Sequence, residues 1–200
     1  MLNRVPNEAL VAAGLDLMQQ AGQPLTRAPT KGRAMIYHLP DKRTVRVRTC
    51  NDHLLVVLAD KDEAGAKLNV EGTDLVLIVM PETPRTPGAV VAYLVPAKVV
   101  AEAARETHKN WLAAGANTKG NNRTWNLWFD ENGPEKANGF ARRWSKYRLG
   151  GSSHTELSPS PIVNKPSGEK LGDVIASARQ RIAAVAGVPI EAVRISVDLT

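Results

Sequence analysis

Three apolar runs limit what this chain can fold into: LLVVLA at 54–59, LVLIVM at 75–80 and AVVAYLV at 89–95. Each has the length of a strand and falls far short of the roughly 20 residues a membrane-crossing helix needs. Turn formers separate them: Asn51-Asp52 before the first, Gly72 before the second, and the PETPRTPG loop between the second and third. Apolar runs without alternation read as strands buried on both faces. A hydrophobic fraction of 43% in 200 residues supplies the core for one domain with a small appendage.

The rest of the chain completes a mixed architecture. In PNEALVAAGLDLMQQA (6–21), Leu10, Val11, Gly14, Leu17 and Met18 recur at helical spacing, with Asn7 as cap and Gly22 as a left-handed stop. GRAMIYHL (32–39), TVRVRTC (44–50) and HLLVVLAD (53–60) predict a three-strand antiparallel meander. TDLVLIVMP and AVVAYLVP are the fourth and fifth strands. AKVVAEAARETHKNWLAAG is a second helix with Val99, Val100, Ala103, Ala104 and Trp111 as its apolar stripe. TWNLWF predicts a last strand and FARRWSKYRL a closing helix. The expected fold class is α/β (α+β): a central mixed sheet of five to six strands flanked by helices over residues 1–149. A Gly/Ser/Pro-rich linker follows at 150–170. The end, 171–200, reads as a helix–strand tail too small to hold a core alone, so it should dock on the main body or on a partner.

Charge narrows the partner class. The formal net charge is +6 and the sequence pI is about 9.6, a balance that favours polyanions such as DNA or RNA. The bases cluster at 27–48 and 104–149, while 52–82 is acidic. No membrane partner is expected. The start MLNRVPNEAL lacks a continuous apolar stretch, and the single cysteine, Cys50, excludes an internal disulfide. Both features suit a cytoplasmic protein. Four scattered histidines and one cysteine make no zinc pattern.

Nor does the sequence carry a phosphate-binding glycine loop or a GxSxG nucleophile motif. Cys50 reads as packing. Asp60, Asp62 and Glu63 are candidate oxygen ligands for a divalent cation, against the plainer account of a solvated loop. Trp111, Trp125, Trp128 and Trp144 all fall in the basic second half. Aromatics interleaved with bases can stack nucleobases while cations hold phosphates. Core packing is the competing role for each, and Trp128 is the expected exception, because it faces away from Trp125 and Phe129.

The order of elements, with RVRTC (46–50), TDLVLIV (73–79), AYLVPAKVV (92–100) and RRWSKYRL (142–149), resembles the PD-(D/E)XK superfamily, the restriction-endonuclease-like fold. The resemblance covers about residues 5–149. In that family two carboxylates hold a metal that activates water, and a lysine two residues after the second carboxylate assists. Here Arg46 stands in the second carboxylate slot and Arg48 in the lysine slot. The strand before, GRAMIYHL, has no Asp or Glu, and Glu8 stands at the helix position that sometimes adds a ligand. The motif is therefore degenerate. A guanidinium does not deprotonate, and about 4 Å from a divalent ion it repels by several kcal/mol at an effective dielectric near 20. It does match phosphate geometry.

Three functions follow as expectations. The first is a non-catalytic, nuclease-like DNA-binding protein without a cofactor. Lys31, Arg33, Arg46, Arg48, Arg123, Arg142, Arg143 and Lys146 would contact the backbone and Trp128 a base. The second is a Mg²⁺-dependent endonuclease with a migrated site using Glu8, Asp52 and Asp60. The third is a protein-interaction or inhibitor module of a mobile element or defence system, with a protein partner or a homodimer formed through the tail. TVRVRTC keeps a further plain alternative, an ordinary solvated edge strand.

Overall fold

Every residue of LVLIVMP is buried, as a strand covered on both faces requires. In the computed structural model this strand lies inside a six-stranded mixed sheet. The structure describes residues 4–29, 35–63, 65–115, 122–129, 139–155, 175, 179 and 190–194. Two units are distinguished, Met1–Leu157 and Ser158–Thr200.

In the first unit, α1 (Asn7–Gln20) is followed by strands β1 (Thr26–Arg27), β2 (Ile36–His38), β3 (Thr44–Thr49), β4 (Leu54–Leu58), β5 (Leu75–Pro81) and β6 (Ala89–Pro96). Then come α2 (Ala97–Ala113), β7 (Thr124–Trp128), α3 (Phe140–Arg143), a 3-10 turn at Ser145–Tyr147, and β8 (Ser153–His154). The main sheet has the order β1-β2-β3-β5-β6-β8, and β4 pairs with β7 in a separate two-stranded ribbon. Neighbours are antiparallel except β3 and β5, which run parallel. A mixed α/β fold with a central sheet of six strands and flanking helices is as expected. No helix among the described residues is long and apolar enough to cross a membrane.

Side chains of the sheet divide by parity between two cores. Val45, Val47, Leu75, Leu77 and Val79 join Leu10, Leu17 and Met18 of α1 on one face. Val76, Ile78, Met80, Tyr93 and Val95 meet the ribbon, α2 and α3 on the other, with Leu55, Val57, Trp125, Leu127, Phe129 and Phe140. Gly14 is required by this packing: a Cβ there would stand 2.5 Å from Val79 Cγ2, so α1 can lie close to β5 only without a side chain at that turn.

Several expectations need correction. The third strand of the meander leaves the sheet. Asn51 is tied to the Val5 backbone at both its amide groups, and His53, at φ 54°, donates from Nε2 to the Pro81 carbonyl at 2.6 Å. This turn sends the chain out of the sheet, and β5 takes the open edge of β3 instead. Nor is LLVVL buried on both faces: Leu55 and Val57 are buried, Leu54 and Val56 half-buried, and Leu58 is exposed. Asn7 does not cap α1. Pro6 occupies the cap position, and the Asn7 Oδ1 accepts from Thr49 Oγ1 at 3.0 Å. Gly22 does adopt the left-handed conformation, at φ 71°. The closing helix is short, one α-turn and a 3-10 turn. Residues 150–155 of the expected linker are tied to the sheet, because Ser153 and His154 pair with β6 and the Gly88 N–H donates to Thr155 Oγ1 at 2.8 Å; its remainder lies outside the described residues.

In the second unit, Ile190–Ala192 form a 3-10 turn and Arg179 Nε donates to the Val193 carbonyl at 2.9 Å. The strand expected at the chain end lies outside the described residues, as does nearly all of the expected helix.

Candidate functional site

Arg46 and Arg48 sit on an interior strand, paired on one side to β2 and on the other to β5, so TVRVRTC is not a solvated edge. Both project on the face of Val76 and Ile78, toward the ribbon. Because Ala59 and Phe129 bracket the β4–β7 pairing, the backbone groups of Val56 point to the opposite edge of β4. Arg48 Nη2 donates to that Val56 carbonyl at 2.9 Å. The arginine thus closes the seam between the two sheets. Arg46 is half-buried, with its Nε buried and without a hydrogen-bond partner among the described residues. Burial, and then the like charge of Arg48, pull its pKa below the ordinary arginine value. Arg48→Met should therefore cost about 1 kcal/mol, because the part-buried Val56 carbonyl loses its donor. Arg46→Met should cost less than this or stabilise, since it removes a desolvated charge. Urea unfolding of the two variants checks the contrast.

The acidic candidates do not converge. Glu8, in the first turn of α1, borders a groove with Arg27, Met35 and Tyr37. Asp52, before β4, is paired with Arg4 at 3.1 Å and with Arg85. Asp60, beyond the other end of β4, accepts from the Lys67 N–H at 2.9 Å. A five-residue strand, about 17 Å, separates the last two. Glu63 pairs with Lys61 at 2.7 Å. Among the described residues, no three His, Cys, Asp or Glu side chains form a group able to hold a metal ion.

Asp62 belongs to a different arrangement, built where α2 packs along β7. Helical spacing puts Ala104, His108 and Trp111 on one side of α2. Alternation along β7 turns Trp125 and Leu127 inward and Thr124, Asn126 and Trp128 outward. The His108 ring, 5% exposed, lies between two indoles. It stacks on Trp125 with centroids 4.2 Å apart and planes 10° apart, and on Trp111 at 5.7 Å and 21°. Its Nε2 stands 3.1 Å from Asp62 Oδ1, without hydrogen-bond alignment. Asp62 Oδ2 accepts from the Asn122 N–H at 2.9 Å. Asn122 Oδ1 accepts from the Thr124 N–H and hydroxyl, which fixes the start of β7. Above this floor opens a groove of about 360 Å³ bordered by Trp111, Trp128, Asn110 and Asn126. Trp111 is 38% exposed, which corrects its placement in the apolar stripe of α2. Trp128 is half-buried and lines the groove, while Trp125 and Trp144 are core residues.

The remaining bases fall in separate places. Arg143 pairs with Glu106 at 2.9 Å and lies over the Phe140 ring. Lys146 covers the ring of Tyr147, and Arg142 is exposed beside them. Arg123 precedes β7, at the opposite end of that strand from Trp128. Lys31 and Arg33 lie outside the described residues. Arg46 and Arg48 are brought together, as are Arg142, Arg143 and Lys146.

Sequence reasoning singled out Trp128 but gave no role to His108 or Asn126. The three-residue spacing of His108 and Trp111 on α2 was a usable signal. The approach of Asp62, 46 positions away, left none. No family model matches the chain, and no curated protein or solved structure matches it.

Proposed function

We propose that this protein binds nucleic acid, with DNA as the expected partner, and does not cleave it. The observation that carries the proposal is the α2–β7 groove, where the exposed indole of Trp111 and the half-buried indole of Trp128 stand among asparagines on a chain of net charge +6. Exposed rings give bases a stacking surface, and a basic chain draws the phosphate backbone. Absence of cleavage is supported by the arginines at 46 and 48, which stand where the resembled nucleases keep a carboxylate and a lysine. Arg48 is committed to the Val56 carbonyl, so gripping of phosphate is assigned to exposed bases rather than to it.

A restriction-endonuclease-like core is the finer proposal for the fold. In its favour, RVRT of β3 and YLVP of β6 lie within one sheet, and AKVV opens the helix that follows. Against it, the third meander strand is missing from that sheet. The binding proposal therefore rests on the groove and not on the family. Fluorescence anisotropy with labelled single-stranded and duplex probes tests it. Affinity should fall steeply as salt rises, and probes incubated with Mg²⁺ should remain intact. Absence of binding, or binding indifferent to salt, overturns the binding claim; metal-dependent cleavage overturns the non-catalytic one.

A further inference from the structure

The ring geometry at the groove carries a more specific conclusion, which rests on the nucleic-acid proposal above. Trp125, His108 and Trp111 make a column of three near-parallel rings, with adjacent planes 10° and 21° apart. The column starts in the core at Trp125, 2% exposed, and reaches the surface at Trp111, 38% exposed. Trp125 Nε1 donates to the Asn122 carbonyl at 3.3 Å, and Asp62, which accepts from the Asn122 N–H, stands beside His108. A preformed stack costs little further ordering when one more ring joins it.

What fits there is a flat heteroaromatic ring with polar edges. Trp128 lines the same groove from the β7 side, and Asn110 and Asn126, each carrying a side-chain amide, border it. Each amide offers donors and an acceptor, the complement of a nucleobase edge. A base inside a duplex has both faces covered by its neighbours and its pairing edge occupied. Only an unpaired base presents a free face and a free edge together. Lys109 on α2 and Arg123 before β7 are exposed nearby in the chain, suited to the adjoining phosphates. We infer that the α2–β7 groove is a site for an unpaired nucleobase stacked against Trp111, so that the ligand is single-stranded nucleic acid.

Anisotropy titrations of an oligothymidine probe and of a blunt duplex test this with the wild type, Trp111→Ala, Trp111→Phe and Trp128→Ala. The single strand should bind the wild type at least about tenfold more tightly than the duplex. Trp111→Ala should weaken it by about tenfold or more, the effect of losing one stacked base. Trp111→Phe keeps a ring at the end of the column and should recover most of that loss. Duplex affinity should be alike in all four proteins. Equal affinity for duplex and single strand, or single-strand affinity unmoved in both alanine variants, overturns the site assignment while leaving nucleic-acid binding standing. If the wild type binds neither probe, the broader proposal falls as well.

Discussion

Trp125→Ala is expected to destabilise the protein by about 3–5 kcal/mol, the range for deleting a large aromatic side chain from a packed core. The indole is 2% exposed and lies with Leu55, Val57, Leu127 and Phe129 in the core beneath the ribbon. Its truncation removes the stacking surface of His108 at 4.2 Å and the Nε1 bond to the Asn122 carbonyl at 3.3 Å. The urea midpoint should drop with little change in the slope of the transition. Trp128→Ala, three residues along the strand and on its outer face, should lose much less. If Trp125→Ala lost under about 1 kcal/mol, β7 would not be packed as described.

The second large effect is alkaline. Cys50 is fully buried, and burial pushes its thiol from 9.0 up to about 12, with Arg48 opposing and Asp52 reinforcing the shift. Above pH 9 the unfolded chain sheds this proton while the folded chain keeps it. The unfolded state then binds fewer protons, and stability falls as pH rises through the window between the two values. The slope is at most about 1.4 kcal/mol per pH unit, or about 4 kcal/mol across the window. Below pH 9 the term vanishes. Unfolding curves of the wild type and Cys50→Ala, taken at neutral pH and inside the window, isolate the contribution from other alkaline groups. The wild type should lose more stability than the variant. A parallel decline in both would show that the thiol is reached by solvent.

The two sheets explain how far a sequence of this kind can be read. LVLIVMP demanded burial on both faces and received it at the centre of the sheet; α1, α2 and the alternation of TWNLW were equally visible. LLVVL misled, because an apolar run does not say which strand it will pair with. The choice of β7 over β3 is made by the Asn51–His53 turn and its ties to Val5 and Pro81, contacts tens of residues apart. That choice decides what TVRVRTC means. With β4 peeled away from the sheet, Arg48 reaches the Val56 carbonyl, and a stretch that suggested a lost catalytic site becomes the seam between two layers. The groove was legible in part: the tryptophans were evident, and Trp128 was rightly set apart from Trp125. Whether Trp111 would be packed or exposed depended on where α2 ends relative to β7, which periodicity does not encode.

Cross-linking locates the nucleic acid most directly. A single-stranded oligonucleotide carrying iodouracil, irradiated in complex with the full chain and followed by peptide mapping, should attach to Trp111 or Trp128. Attachment confined to the α1 face of the sheet, or to residues 158–200, would contradict the account.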